Sequence, residues 1–227
     1  MGADGGTIAK RKDLINVHSS LDKKNSTGIG YDNELTLLNS CGISAFPLHT
    51  KSNDPIVGDY KGRLYLKEKI LQYLIDSKQS KSRVNPKLSH ITSLKDICDV
   101  KIEWDTSDEP RIRCPITKIS SAKSTYAYLR PCGCLMSSKV ITELNQNNSK
   151  GKCPNCDATF SSDCDVVIVN PLGKEEYNKL NESSYKILCN QQLSHSKKPI
   201  KSKKVERKQS IKRAADSQEP VSKRIKP

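Results

Sequence analysis

Residues 132–156 read CGCLMSSKVITELNQNNSKGKCPNC, and the fold of the chain turns on this stretch. It opens on Cys132-Gly133-Cys134 and closes on Cys153-Pro154-Asn155-Cys156, with 18 residues between the two pairs. A Cys-x-x-Cys knuckle lets two thiolates reach one ion while nearby backbone N–H groups point at the sulfurs. Zinc takes four such ligands in a tetrahedron, each about 2.3 Å away. Gly133 lets the first pair turn tightly, and Pro154 stiffens the second. Cys132, Cys134, Cys153 and Cys156 are therefore the expected ligands of one structural zinc ion. Four thiolates leave no position open for water, so nothing catalytic is implied. Binding of the ion would be coupled to folding of this block.

Between the pairs, Val140, Ile141 and Leu144 predict an amphipathic helix, with Ser137 or Ser138 as its N-cap. Upstream, Cys114-Pro115-Ile116-Thr117 precedes Gly133 by 19 residues. An earlier block repeats the pattern, with Cys41-Gly42-Ile43-Ser44 and then Gly62-Arg63-Leu64, 21 residues after Cys41. Ile70 and Ile141 each stand eight residues after their glycine, in amphipathic segments. Recurrence of this kind predicts a structural duplication. The earlier block has Lys61 and Arg63 in place of Cys132 and Cys134, and no cysteine pair follows its helix. No metal is expected there.

Around these blocks the chain divides into segments. Residues 1–30, Gly- and Lys-rich with little periodicity, read as an extended N-terminal arm. Residues 31–89 hold the zinc-less module, with Ile70, Leu71, Leu74 and Ile75 on a helix and a Ser/Lys-rich linker from Asp76 to Ser89. Residues 90–172 hold the zinc module, which His90 to Trp104 enters as a turn and then a strand alternating Val100, Ile102 and Trp104. Residues 173–193 form a helix, with Tyr177, Leu180, Ile187 and Leu188 roughly on one side. Residues 194–227 are low-complexity and basic, and are expected to be disordered. The cysteines outside the metal set (Cys41, Cys98, Cys114, Cys164 and Cys189) read as small buried residues. A second zinc on Cys114 and Cys164 lacks a second knuckle.

Composition agrees with this division. Of 227 residues only 34% are hydrophobic and 5% aromatic, too few for one large apolar core. Small modules of that kind need metals or partners for stability. The formal net charge is +14, but residues 197–227 carry 12 Lys/Arg against 3 acidic residues, so most of the excess belongs to the tail. Nine cysteines cannot all pair as disulfides. From Met1 to Lys12 there is no apolar h-region, and nowhere an apolar run of about 18 residues, the length of a membrane span. A reducing, intracellular setting and no membrane partner are expected, and there clustered cysteines bind metal. Lys212-Arg213 and Lys223-Arg224-Ile225-Lys226, nine residues apart, approximate a two-part nuclear import signal. Lysines of the tail would also suit salt-sensitive, sequence-independent contact with nucleic acid.

Cys114-Pro-Ile-Thr, Cys132-x-Cys134, a helix and Cys153-Pro-x-Cys156 resemble a RING finger with half its metal sites. At its first site only Cys114 remains, with Thr117 at the next ligand position. This one-zinc form is similar to the SP-RING of SUMO ligases, and the block from Cys41 to Ile75 resembles a U-box. The fold class is then α+β: two small RING/U-box-like modules, the second with one structural zinc, plus the basic tail. Together with the opening Met1-Gly-Ala-Asp-Gly-Gly-Thr-Ile-Ala-Lys-Arg11, Pro55-Ile-Val57 and Gly62-Arg-Leu-Tyr-Leu-Lys67, the chain resembles the replication termination factor 2 family over roughly residues 1–172. That resemblance implies a nuclear protein at replication forks, acting in their pausing or termination, with a link to pre-mRNA splicing. Its partners would be replication-fork or spliceosomal proteins, and its RING-like finger an adaptor for protein–protein interaction. The alternative is a ubiquitin or SUMO E3 ligase that docks a conjugating enzyme. Ile116, just after the first ligand position, suits such docking. Asp157 does not, because ligases commonly place a basic residue right after the last ligand.

Overall fold

Short apolar runs punctuated by glycine make short strands, here of three or four residues. The computed structural model describes residues 36–50, 54–79, 85–107, 110–121, 124–144, 150–170 and 175–200. The arm over residues 1–30 and the import residues Lys212, Arg213, Lys223, Arg224 and Lys226 lie outside the described residues.

β1 (Ile56–Gly58) and β2 (Leu64–Leu66) form an antiparallel hairpin with every residue buried. Helix α1 (Lys67–Gln79) follows, with Glu68 in its first turn and Lys78 in its last, each matching the sign of the helix dipole. Ile70 and Leu74, one turn apart, face the core, whereas Leu71 and Ile75 are exposed. The chain returns as β3 (Cys98–Val100), which pairs with β1 and completes a sheet ordered β2-β1-β3.

β4 (Glu103–Asp105) and β5 (Arg111–Arg113) make a separate two-stranded hairpin. The connectivity of the first sheet then recurs. β6 (Tyr126–Leu129) and β7 (Leu135–Ser137) pair, α2 (Ser138–Leu144) follows, and β10 (Val166–Ile168) returns alongside β6. The order β10-β6-β7 mirrors the first sheet strand for strand. Inserted before the return are the hairpin β8 (Lys150–Lys152) with β9 (Thr159–Ser161) and the single turn α3 (Ser162–Asp165). α4 (Glu175–Asn190) closes the folded body.

The two sheets share one hydrophobic core rather than two small ones. Val57, Leu64, Tyr65 and Ile70 from the first join Ala127, Tyr128, Leu129, Leu135 and Met136 from the second, all essentially without exposure. Each buried aliphatic or aromatic side chain of this kind contributes roughly 1.5–3 kcal/mol. Pooling them gives a chain with few apolar residues a core that neither sheet could build alone.

Three expectations are corrected. The segment before Trp104 is two strands, because the chain leaves the first sheet after Val100 and enters the β4–β5 hairpin at Glu103. β3 therefore belongs to the first sheet, although the sequence pattern puts residues 90–172 in the second module. α4 is a helix as expected, but it buries Asn181, Ser184 and Leu188 while Leu180 and Ile187 stay exposed. Its docking contact is polar: the Asn181 amide donates to the Ile168 carbonyl and accepts from the Ile168 N–H, both at 2.9 Å. One side chain thus satisfies both main-chain groups of Ile168 as a further strand would. Finally, the tail does not begin at Ser194. The portion from Ser194 to Ile200 is folded onto the body, with His195 fully buried. A mostly polar composition hid one anchoring ring.

Candidate metal centre

A six-residue loop led by a cysteine occurs three times. In the first copy the Ala45 N–H donates to the Cys41 carbonyl at 2.8 Å and the Cys41 N–H to Phe46 at 2.8 Å. In the second, Lys118 donates to Cys114 at 2.9 Å and Cys114 to Ile119 at 3.2 Å. In the third, Asp157 donates to Cys153 at 2.8 Å and Cys153 to Ala158 at 2.9 Å. The fifth residue of each, Ala45, Lys118 and Asp157, has φ between 53° and 56°. This backbone turns N–H groups inward around the leading sulfur.

Only the third copy carries a cysteine at its fourth position, and there four thiols gather that could hold one metal ion. The thiols of Cys132, Cys134, Cys153 and Cys156 all lie within 4.8 Å of one another, and Cys134 Sγ stands 3.7 Å from Cys156 Sγ. Sulfurs at about 2.3 Å from a tetrahedral ion are separated by about 3.8 Å, so the donor set fits one ion. Cys134 and Cys153 are buried, Cys132 is half-buried and Cys156 exposed, with the Asn155 amide 3.5 Å from Cys134 Sγ. Burial, together with the nearby sulfurs, pushes the Cys132 and Cys134 thiols up. The Ala158 N–H, outweighing burial, holds Cys156 down. A cation among the sulfurs inverts this repulsion and removes the protons.

The site ties together parts far apart in sequence. Cys132 and Cys134 lie in the β6–β7 turn on either side of Gly133, and Cys153 and Cys156 cap the β8–β9 hairpin. The turn is itself joined to the first sheet, because Lys101 donates to the Gly133 carbonyl at 2.7 Å and accepts from Leu135 at 3.1 Å.

In the other two loops Ser44 and Thr117 stand at the fourth position, and a hydrogen bond replaces the ion. Cys41 Sγ accepts the Leu66 N–H at 3.4 Å, and Cys114 Sγ accepts the Ser137 N–H at 3.4 Å. Leu66 and Ser137 end β2 and β7, so the two bonds are equivalent in the repeat. Burial raises the Cys114 thiol, but the Ser137 N–H and the groups of Thr117 outweigh it and lower the pKa overall. The role of these two thiols as acceptors was missed in the sequence, although the recurring Cys-x-Ile-Ser/Thr signalled it.

A second missed feature is a carboxylate node in the first hairpin. Asp59, fully buried, accepts from the Arg63 N–H at 2.8 Å and the Tyr65 hydroxyl at 2.9 Å, and meets His90 Nε2 at 2.8 Å. Burial alone would raise this carboxyl, yet the His90 bond and charge, with Arg63, hold it below the usual value. It links the β1–β2 turn to the chain beyond α1, as the four-thiol site links the β6–β7 turn to the chain beyond α2. Among the described residues no other group of three or more metal-binding side chains gathers, so Cys114 and Cys164 do not start a second site.

A model of the Rtf2 RING-finger family matches residues 1–226. The chain belongs to the Rtf2 family. Replication termination factor 2 of Sus scrofa is 30% identical over 188 residues, covering 75% of this chain and 56% of that protein. The Homo sapiens protein of the same name is 29% identical over 188 residues, with the same two shares. Splicing factor rtf2 of Schizosaccharomyces pombe (strain 972 / ATCC 24843) is 30% identical over 181 residues, covering 77% of this chain and 68% of that protein. The chain thus spans little more than half the length of the replication termination factor 2 proteins it matches. In this Rtf2 chain, Ile116 and Ile119 of the second loop are exposed, as is Phe46 of the first. Asp157 is exposed beside Cys156. Next to the site a cleft of about 650 Å³ is lined by Leu144, Phe160, Lys150, Lys152, Lys197 and Asp165, among others. Among the described residues no helix is long and apolar enough to cross a membrane.

Proposed function

We propose that this chain is a nuclear adaptor acting at replication forks, in their termination or pausing, with a further link to pre-mRNA splicing. The names of its relatives, replication termination factor and splicing factor, support the two processes. The observation that carries the adaptor reading is the closed four-thiol site, which braces a surface and offers no position for substrate. Zinc is the ion for Cys132, Cys134, Cys153 and Cys156, because four thiolates in a tetrahedron suit it. In this reading the second repeat is a RING-like finger and the first a U-box-like platform, held by Asp59 instead of metal. The exposed Ile116, Ile119 and Phe46 dock fork or spliceosomal proteins.

A ubiquitin or SUMO ligase is the second reading, favoured by the exposure of Ile116 and opposed by the acidic Asp157. Discharge of charged ubiquitin- and SUMO-conjugating enzymes separates the two. No stimulation is expected from the zinc-loaded chain. Stimulation that disappears in Cys153→Ser overturns the adaptor reading.

Import is assigned to Lys212, Arg213, Lys223, Arg224 and Lys226, with non-specific nucleic-acid contact as a second use of the same charges. Because Lys197 is bonded into the body, the informative truncation ends at Ile200. Fused to a reporter too large to diffuse through nuclear pores, residues 1–200 should stay cytoplasmic while the full chain enters the nucleus. Unaided entry of the truncated fusion removes the import assignment.

A further inference from the structure

His195 occupies the junction of the two sheets and has no part in the metal site. Its ring is fully buried, in a segment otherwise made of serine and lysine. Arg130 Nε donates to His195 Nδ1 at 3.0 Å, and His195 Nε2 meets the Tyr128 hydroxyl at 2.9 Å. Tyr128 in turn donates to the Asp59 carbonyl at 2.7 Å, which carries the chain of bonds from the second sheet into the first.

The geometry sets the ring's protonation state. A guanidinium can only donate, so Nδ1 must present its lone pair and the proton sits on Nε2. A second proton on Nδ1 would break the Arg130 bond and place two cations at contact distance. The other charged or titratable groups here offer no relief. From the first sheet and its return come Asp59, already held by His90, and Cys98, whose thiol donates to the Arg130 carbonyl at 3.1 Å. From α3 come Cys164 and Asp165, and Asp165 is paired with Lys197 of the same C-terminal segment at 2.7 Å. From α4 comes Tyr185, whose ring lies edge-on at 6.4 Å. Both buried carboxylates thus already have cationic or histidine partners. Burial first, and Arg130 second, push the His195 ring down to about 3.

The segment around the ring is built to seat it. Ser194 accepts from Lys197 at 2.8 Å and donates to Lys198 at 2.9 Å, closing a tight turn. Ser196 donates to the Lys95 carbonyl at 3.1 Å, and Lys95 Nζ reaches the Pro199 carbonyl at 2.8 Å. Beyond Ile200 the sequence places ten Lys/Arg against three acidic residues.

We propose that Ser194–Lys198 is a proton-sensitive latch, with neutral His195 seated between Arg130 and Tyr128, whose release frees the stretch from Ser194 to Ile200 from the body. The sign follows from linkage. A histidine whose docked form resists protonation is held most firmly above its free pKa, about 6.5, and docking weakens as pH falls below it. Between pH 7.5 and 5.5 the docking equilibrium should drop about tenfold.

Amide hydrogen exchange of the full, zinc-loaded chain tests this, after correction for the intrinsic pH dependence of exchange. Protection over residues 194–200 should fall about tenfold at pH 5.5 while β1 and β2 keep theirs. The fall should vanish in His195→Gln, which cannot take the proton and leaves the metal site intact. Equal protection at both pH values, or the same fall in His195→Gln, overturns the latch. Imidazole NMR of the wild-type chain gives a second reading that needs no variant. The docked ring should remain the Nε2–H tautomer at pH 5.5, and titration near 6.5 with the segment still protected would likewise refute the proposal.

Discussion

Withdrawing the ion with a strong chelator is expected to unfold the β8–β9 hairpin and to loosen the sheet that β6, β7 and β10 make. β8 is Lys-Gly-Lys, and of the residues in the two strands only Phe160 is buried. A two-stranded hairpin with one core residue is not stable in water on its own. The four-thiol site is what joins it to the β6–β7 turn. Structural zinc in small finger peptides is worth about 10–16 kcal/mol near neutral pH, against about 5–15 kcal/mol for the stability of a whole domain. Loss of the ion should therefore remove most of the margin, and Cys153→Ser should do the same without chelator. The non-metal cysteines set the contrast. Cys41→Ser and Cys114→Ser put a hydroxyl where a thiol accepts hydrogen bonds, leave the four-thiol site untouched, and should cost about 1–2 kcal/mol. Thermal unfolding followed by circular dichroism, with and without chelator, beside metal analysis, checks all of this. One zinc per chain is expected. Two zinc ions, or an unchanged melting curve in chelator, would refute the assignment.

What could be read in advance follows from how local each signal is. The gathering of the four thiols was legible because cysteines at fixed spacing serve few other purposes, and all four lie within 25 residues. The repeat was legible because Gly62 and Gly133 mark the same turn, and Ile70 and Ile141 the same core position beyond it. The departures all lie where stretches distant in sequence meet. β3 pairs back to β1 across α1 and the chain beyond it, and nothing in Cys98-Asp99-Val100 names its partner. α4 docks by Asn181 as well as Leu188, and the use of Asn181 depends on the free edge of β10 being there, so an apolar count found Tyr177 and Leu188 but also took in the exposed Leu180 and Ile187. His195 is buried because Arg130 and Tyr128 leave room for one ring. Such complementarity belongs to assembled surfaces, and no window along the chain contains it.

That meeting surface yields the second large effect, at the two turn glycines. Both have positive φ, 82° at Gly62 and 72° at Gly133. A Cβ on Gly62 would stand 1.9 Å from the carbonyl oxygen of Ile168, in β10. A Cβ on Gly133 would stand 2.0 Å from the carbonyl oxygen of Asp99, in β3. Each hairpin turn thus presses on the return strand of the opposite sheet, and the bonds are reciprocal as well. Gly62 accepts from Asn170 at 2.7 Å, and Gly133 accepts from Lys101 at 2.7 Å. Alanine at either site meets backbone, which cannot swing aside as a side chain can. It should carry about 1–2 kcal/mol for the left-handed conformation. The lost main-chain bond adds about 1 kcal/mol, and opening a packed core adds more, for a total of roughly 3–5 kcal/mol. Lys61→Ala, one residue away, should fall within about 0.5 kcal/mol of wild type. The double variant decides whether the contacts form one surface. Once Gly62→Ala has parted the sheets, Gly133→Ala has less left to break, so the pair should cost clearly less than the sum of the singles. Denaturant unfolding of the four chains measures it. Strict additivity would mean two independent turns, each strained by its own substitution, and would dissolve the reciprocal clamp on which the shared core depends.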